Sequence, residues 1–216
     1  MLLKIKKICL IYKIFKAKQV FIIIGSGYTK YEGWVSTNKE ELNILNEDDF
    51  KVFSKKKIDK ILLEHVIEHI EYLDFIKFLR FIKKYLNKRA TIRVAVPDAY
   101  HPSAYYRDLV GINGQEPGAN DHKYFYSIDN FTYIAKECNY KLNPLEYFDK
   151  KGIFQQCSYN FDNGYILRCS KNYQGRFTTN KEEYEKMIKT VPFHLRDQFK
   201  KYNISYTSLL ADFIYE

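Results

Sequence analysis

At 216 residues the chain is long enough for one α/β domain with an extension, burying roughly 70% of its unfolded surface without staples. Four cysteines, Cys9, Cys138, Cys157 and Cys169, stand far apart with no C-x-x-C pair. That spacing argues against a zinc knuckle or a disulfide framework and fits a reducing cytoplasm. The net charge of +9 comes from 35 Lys and Arg against 26 Asp and Glu. Because Lys is spread along the chain, the charge reads as a solvated surface and nucleic acid is not an expected partner.

Lys interrupts the apolar runs of the first 20 residues, so they offer neither a secretory core nor a membrane span. Leu2, Ile5, Ile8, Tyr12 and Phe15 have the spacing of a helix stripe. Residues 1–17 are therefore expected to form a basic amphipathic helix packed on the domain, with weak contact to a membrane surface as the alternative. Val20 to Ile24 is an unbroken β-branched and aromatic run closed by Gly25-Ser26-Gly27, the pattern of a central parallel strand ending in a tight turn. A second short strand is expected over Gly33 to Asn38. Leu42-Asn43-Ile44 follows, then a helix start at Asn46 with acids in its first turn.

Ile58 to Leu63 reads as a buried strand that runs directly into a helix at Glu64-His65. Two chemistries overlap here. His65 to His69 spells H-x-x-E-H, the inverted zinc-peptidase pattern, which needs both imidazoles on one helix face and a third ligand downstream. Alternatively, Glu64 and His65 are polar groups at the carboxyl end of a parallel strand, where open α/β sheets bind ligands. A helix is expected from Tyr72 to Leu86 and a buried strand from Thr91 to Val96, stopped by Pro97-Asp98. Residues 99–127 are rich in Gly, Pro, Tyr and His and read as a lid over a site. Ser127 to Glu137 reads as a capped helix, and Tyr140 to Phe148 and Gly164 to Arg168 as closing strands. Lys181 to Glu216 reads as a helical tail whose packing face carries Leu209, Leu210, Phe213 and Ile214.

In their order and spacing, Gly25-Ser26-Gly27 with Gly33-Trp34, Glu64-His65-Val66 with Glu68-His69, Val94-Ala95-Val96-Pro97-Asp98, Pro117 to Lys123, and Ser205 to Leu209 resemble the class I S-adenosylmethionine-dependent methyltransferases. The resemblance is closest to a bacterial, type-11-like branch and spans about residues 18 to 216. It implies a Rossmann-like, mostly parallel sheet with an antiparallel last strand, helices on both faces and a helical C-terminal extension at 173–216 beyond a methyltransferase domain at 18–172. It also implies S-adenosylmethionine as cofactor and S-adenosylhomocysteine as product, with no metal. Gly25, Ser26 and Gly27 would receive the methionine and ribose portions, with Thr37 and Asn38 at the end of the second strand beside the ribose. Asn43 and Ile44 would flank adenine, and Glu64 and His65 would line the methionine end.

For a hydroxyl acceptor the protein must also remove a proton, and His122 with Asp121 is the expected catalytic pair. Asp98, Tyr100, His101, Tyr105, Arg107 and Tyr124 are expected to shape the acceptor pocket. The implied reaction is O-methylation of a small anionic or sugar-type acceptor in surface polysaccharide precursors, by a monomer or homodimer. The alternatives are a methyltransferase-like scaffold without turnover and, more remotely, a zinc hydrolase through H-x-x-E-H.

Overall fold

The computed structural model describes residues 2–27, 29–115, 118–157, 163–164, 166, 185 and 208–216. Seven strands form one sheet: β1 (Phe21–Ile24), β2 (Val35–Thr37), β3 (Ile58–Glu64), β4 (Leu86–Pro97), β5 (Lys141–Phe148), β6 (Phe154–Gln156) and β7 (Ser208–Ile214). Their order is β2-β1-β3-β4-β7-β5-β6. The first four are mutually parallel. β7 is antiparallel to both β4 and β5, between which it lies. This is the expected Rossmann-like architecture, mostly parallel with an antiparallel last strand.

The sheet is apolar on both faces because its central strands are covered on both sides, which is why their sequences are near-continuous hydrophobic runs. Ile22, Ile24, Ile61, Leu63, Val94 and Val96 face the larger core. Against that face pack α1 (Leu2–Lys16), α2 (Tyr72–Ile82) and α4 (Ile128–Glu137), with α2 contributing Phe75, Phe78, Leu79 and Ile82. Ile23, Leu62, Ala95 and Leu210, one residue out of phase, face a smaller core closed by Tyr31, Ile166 and Trp34. Ser127 begins α4 with a reciprocal capping box to Asn130, as its position before the apolar run implies.

Several elements differ from their sequence patterns. Residues 208–214, counted within the helical tail, are β7, with all but Ile214 buried. A short apolar run does not distinguish strand from helix, and an interior slot between β4 and β5 selects the strand. Of the expected strand at 164–168 only Gly164 and Ile166 are described, neither of them in a strand, and most of the tail lies outside the described residues. β4 begins at Leu86, not Thr91, with Arg89 in the left-handed region at φ 64°. α2 therefore ends at Ile82.

Asn46 caps as expected, its side chain accepting from the Asp48 N–H, but the turn it opens over Glu47–Phe53 is a 3-10 helix. The lid is not structureless: Ser103 caps α3 (Ala104–Val110) within it. Among the described side chains of α1 the packed residues are Leu10 and Ile14, whereas Ile8, Tyr12 and Phe15 of the expected stripe are more than half exposed. Leu10 and Ile14, four residues apart, face the domain because the core lies on that side, a choice the periodicity leaves open. None of the helices among the described residues is long and apolar enough to cross a membrane.

On the smaller-core face, Arg93 of β4 and Asp212 of β7 are cross-strand partners. The Arg93 Nε and Nη2 donate to the two Asp212 oxygens at 2.7 and 2.8 Å, and Nη1 donates to the Gly164 carbonyl at 2.8 Å. Arg93 is wholly buried. Removing one member strands the other charge, so Asp212→Ala is expected to lower stability by about 3–5 kcal/mol in urea unfolding, far more than an exposed pair such as Arg80 with Glu137.

Candidate functional site

A cleft of about 390 Å³ opens at the carboxyl ends of β1 and β3. It is lined by Ile24 and Gly25 from the end of β1, by Leu42, Asn43 and Ile44, by His65, Val66 and His69 after β3, and by Asp121 and Lys123. Adjacent parallel strands end here in polar turns, the place where such sheets receive ligands. Gly25 has φ +66°, and a Cβ on it would stand 2.7 Å from the Val66 Cγ2. Absence of a side chain thus permits both the turn and the approach of β1 to the segment after β3.

That segment does not continue β3 directly into a helix. His65 turns in the left-handed region at φ 53°, a 3-10 turn covers Ile67–His69, and α2 starts only at Tyr72. Without an α-helical turn, His65 and His69 do not form the paired face that the inverted zinc-peptidase pattern requires. Instead, the His65 Nδ1 meets the Glu68 Oε1 at 2.9 Å and its Nε2 meets the Ser208 hydroxyl of β7 at 3.3 Å. The Glu68 backbone carbonyl accepts from the N–H groups of Lys123 and Tyr124, at 2.7 and 3.3 Å. The end of the lid is thereby tied to the end of β3.

Of the residues expected to hold a cofactor, Gly25, Asn43, Ile44 and His65 line the cleft together. Ser26 is buried, and its N–H donates to the Thr37 carbonyl at 2.9 Å. Thr37 is also buried, its hydroxyl donating to the Ile23 carbonyl. Asn38 lies beside the glycine turn, where its Oδ1 accepts the Gly27 N–H at 2.9 Å. Glu64 ends β3 half-buried and does not line the cleft.

Asp121 and His122 are neighbours in sequence but not partners. Asp121 bonds the Nδ1 of His69 at 2.8 Å, while the His122 Nδ1 bonds the Val110 carbonyl at 2.8 Å. His122 is buried behind His69, with ring centroids 4.7 Å apart. The imidazole on the cleft wall is therefore His69, with Asp121 orienting it. No local pattern links His69 to a residue 52 positions away. Its place in H-x-x-E-H was the only mark it carried.

The residues expected around an acceptor separate. Asp98 is fully buried and accepts from the N–H groups of Tyr100 and Phe148, at 2.9 and 2.7 Å. His101 is buried beside it in sequence, accepting from the Ser103 N–H, and the Arg107 guanidinium donates to the His101 carbonyl. Tyr100 donates to Asp129. These four knit the start of the lid to β5 and α4 and do not line the cleft. Tyr105 is 75% exposed, and Tyr124 is packed between Tyr72 and Tyr126. Cleft residues to which the sequence assigned no site role include Lys39, Leu42, Leu45, Val66, Ile70, Glu71, Asp74 and Lys123.

Burial raises the Asp98 carboxyl to about 7 against the two N–H donors, and lowers the His101 imidazole to about 4. Burial likewise pushes the Tyr126 phenol up, with the Glu68 carboxylate adding to the effect.

No protein-family model and no curated protein sequence matches the chain. Solved structures do overlay on it. A SAM-dependent methyltransferase from Archaeoglobus fulgidus is 13% identical with a TM-score of 0.43, covering 98% of this chain and 92% of its own. A cyclopropane-fatty-acyl-phospholipid synthase-like protein from Lactobacillus casei is 12% identical with a TM-score of 0.44, covering 98% and 89%. A SAM-dependent methyltransferase from Methanosarcina mazei is 9% identical with a TM-score of 0.40, covering 67% and 92%. At these values the overlays add nothing to the fold, which rests on its own strand order.

Two outcomes follow from this geometry. Gly25→Ala is expected to lose about 1–3 kcal/mol, and Val66→Ala in the same chain to restore part of it, as a double-mutant unfolding cycle will measure. For Asp98 the folded pKa of about 7 lies above the ordinary 3.8. Between these values the folded chain holds a proton that the unfolded chain has released, so this group's stabilisation is lost as pH rises through 7. Urea unfolding at several pH values is expected to show wild type losing more stability than Asp98→Asn between about pH 4 and about pH 7, with no further difference at higher pH.

Proposed function

We propose that the chain is an S-adenosylmethionine-dependent methyltransferase acting on a small anionic or sugar-type acceptor, with O-methylation as the reaction. The observation that supports this most is the cleft itself, where a Cβ-less turn at Gly25 ends β1 beside the end of β3, with Asn43 and Ile44 on the facing wall. This is the set that the resemblance to class I methyltransferases assigns to the cofactor. Asn43 and Ile44 would take adenine, and the bare backbone at Gly25 would lie against the methionine portion, with His65 at its end. The Asn38 carbonyl is engaged by Gly27, so its NH₂ group is the part that would donate to a ribose hydroxyl.

Methyl transfer moves the sulfonium methyl to an acceptor atom and leaves S-adenosylhomocysteine; the protein aligns the two and excludes water. A hydroxyl acceptor also gives up a proton. His69, with the Asp121 carboxylate behind it, is better situated to receive it than the buried His122. Lys39 is the cleft cation that would meet an anionic acceptor such as a phosphorylated sugar precursor of surface polysaccharide, whereas Lys123 pairs with Glu71 at 3.4 Å and Glu71, Asp74 and Asp121 share the lining.

Titration calorimetry with S-adenosylmethionine is the test. One site per chain is expected, with Gly25→Val weakening binding by at least about tenfold through loss of backbone approach. Absence of heat at about 1 mM cofactor would sink the proposal and favour a fold retained as a scaffold.

A further inference from the structure

We infer that Glu68, His69 and His122 bind a divalent transition-metal ion at the inner wall of the cleft. One ligand atom from each lies within 4.8 Å of the other two. The hydrogen bonds around them decide which atoms these are. A backbone carbonyl only accepts, so the bond from Val110 requires the proton of His122 on Nδ1, which leaves Nε2 of the neutral ring as a lone pair. The Asp121 carboxylate does the same for His69. Each ring thus has the arrangement of a metal-ligating histidine, with its far nitrogen held by an oxygen that fixes tautomer and orientation.

Glu68 supplies the third donor. The residue is 1% exposed. Its Oε1 is engaged by His65, whereas its Oε2 has no hydrogen-bond partner among the described residues. Three electron-pair donors lie within 4.8 Å of one another, and the buried Tyr126 hydroxyl, which the Glu68 carboxylate influences, makes no hydrogen bond to any of them. A buried carboxylate oxygen facing bare imidazole nitrogens is costly unless a cation lies among them. Two imidazoles and one carboxylate suit zinc, iron, cobalt or nickel better than magnesium or calcium. A tetrahedral ion at ordinary bond lengths holds its donors about 3.4 Å apart, so small side-chain rotations close the site. His69 lines the cleft, so the fourth coordination position opens toward it.

This set differs from H-x-x-E-H, since His65 is spent on Glu68 and Ser208 while the lid contributes His122. The site stands independently of the methyl-transfer proposal. With an ion on the His69 Nε2, that nitrogen would no longer take an acceptor proton, and the ion would activate the acceptor oxygen instead.

The experiment uses the full chain, stripped with chelator and titrated with Co²⁺ without cofactor or acceptor. Its visible absorption and calorimetry are expected to report one ion per chain, displaced by one equivalent of Zn²⁺. Glu68→Gln and His69→Ala are expected to weaken Co²⁺ binding by at least about a hundredfold, and Asp121→Asn, which only orients His69, by about tenfold. Circular dichroism confirms that each variant is folded. His69→Ala, at a partly exposed position, carries the test if Glu68→Gln unfolds. No stoichiometric Co²⁺ or Zn²⁺ binding by folded wild type at about 100 μM, far above the dissociation constants of built sites, would overturn the inference. So would binding unchanged in folded His69→Ala, and neither result would bear on cofactor binding.

Discussion

Glu68 is the point on which the site depends. Its carboxylate holds His65, its backbone carbonyl receives the lid at Lys123 and Tyr124, and its neighbour Val66 occupies the space that Gly25 leaves open. Through His65 the same segment reaches Ser208 of the last strand. Four distant parts of the chain are thus fixed relative to one another by seven residues. His65 bonds one oxygen of this buried carboxylate, and the second oxygen has no hydrogen-bond partner among the described residues.

The left-handed turn at His65 carries a related consequence. Had β3 passed directly into an α-helix, His65, Glu68 and His69 would all lie on one helix face. The 3-10 turn instead folds Glu68 back beneath His65 and directs His69 outward, where Asp121 meets it. A motif that reads as one helical face is divided in two. One half braces the sheet and the other forms the wall of the cleft.

Buried ion pairing serves a different purpose on the opposite face. Arg93 and Asp212 fix the register of β7 between β4 and β5, since a slip of β7 by one residue would turn Asp212 to the other face and leave the buried Arg93 without its carboxylate. That constraint matters because β7 is joined to the rest of the sheet by a long excursion of chain and arrives antiparallel. Its first residue, Ser208, is then delivered to His65 at the ligand-facing end of the sheet.

Much of the sheet was legible in the sequence. Unbroken β-branched runs at Val20 to Ile24 and Ile58 to Leu63 are strands because both faces are covered, and Gly25 ends β1 because only glycine tolerates both its φ and the contact with Val66. Ser127 and Asn46 mark their turns by side-chain capping, which acts over three residues and is therefore local. Part of the cleft was legible too, Gly25 and His65 as residues at strand ends and Asn43 and Ile44 through the resemblance. What only the tertiary structure decided are events between distant segments: that residues 208–214 are an inserted strand, that Leu10 and Ile14 face the domain, and that Asp121 serves His69 while His122 turns to Val110. Periodicity specifies which residues share a face, but the partner that covers the face is chosen by packing across the whole fold. Hydrogen-bond partners 12 to 143 positions apart leave no spacing to read.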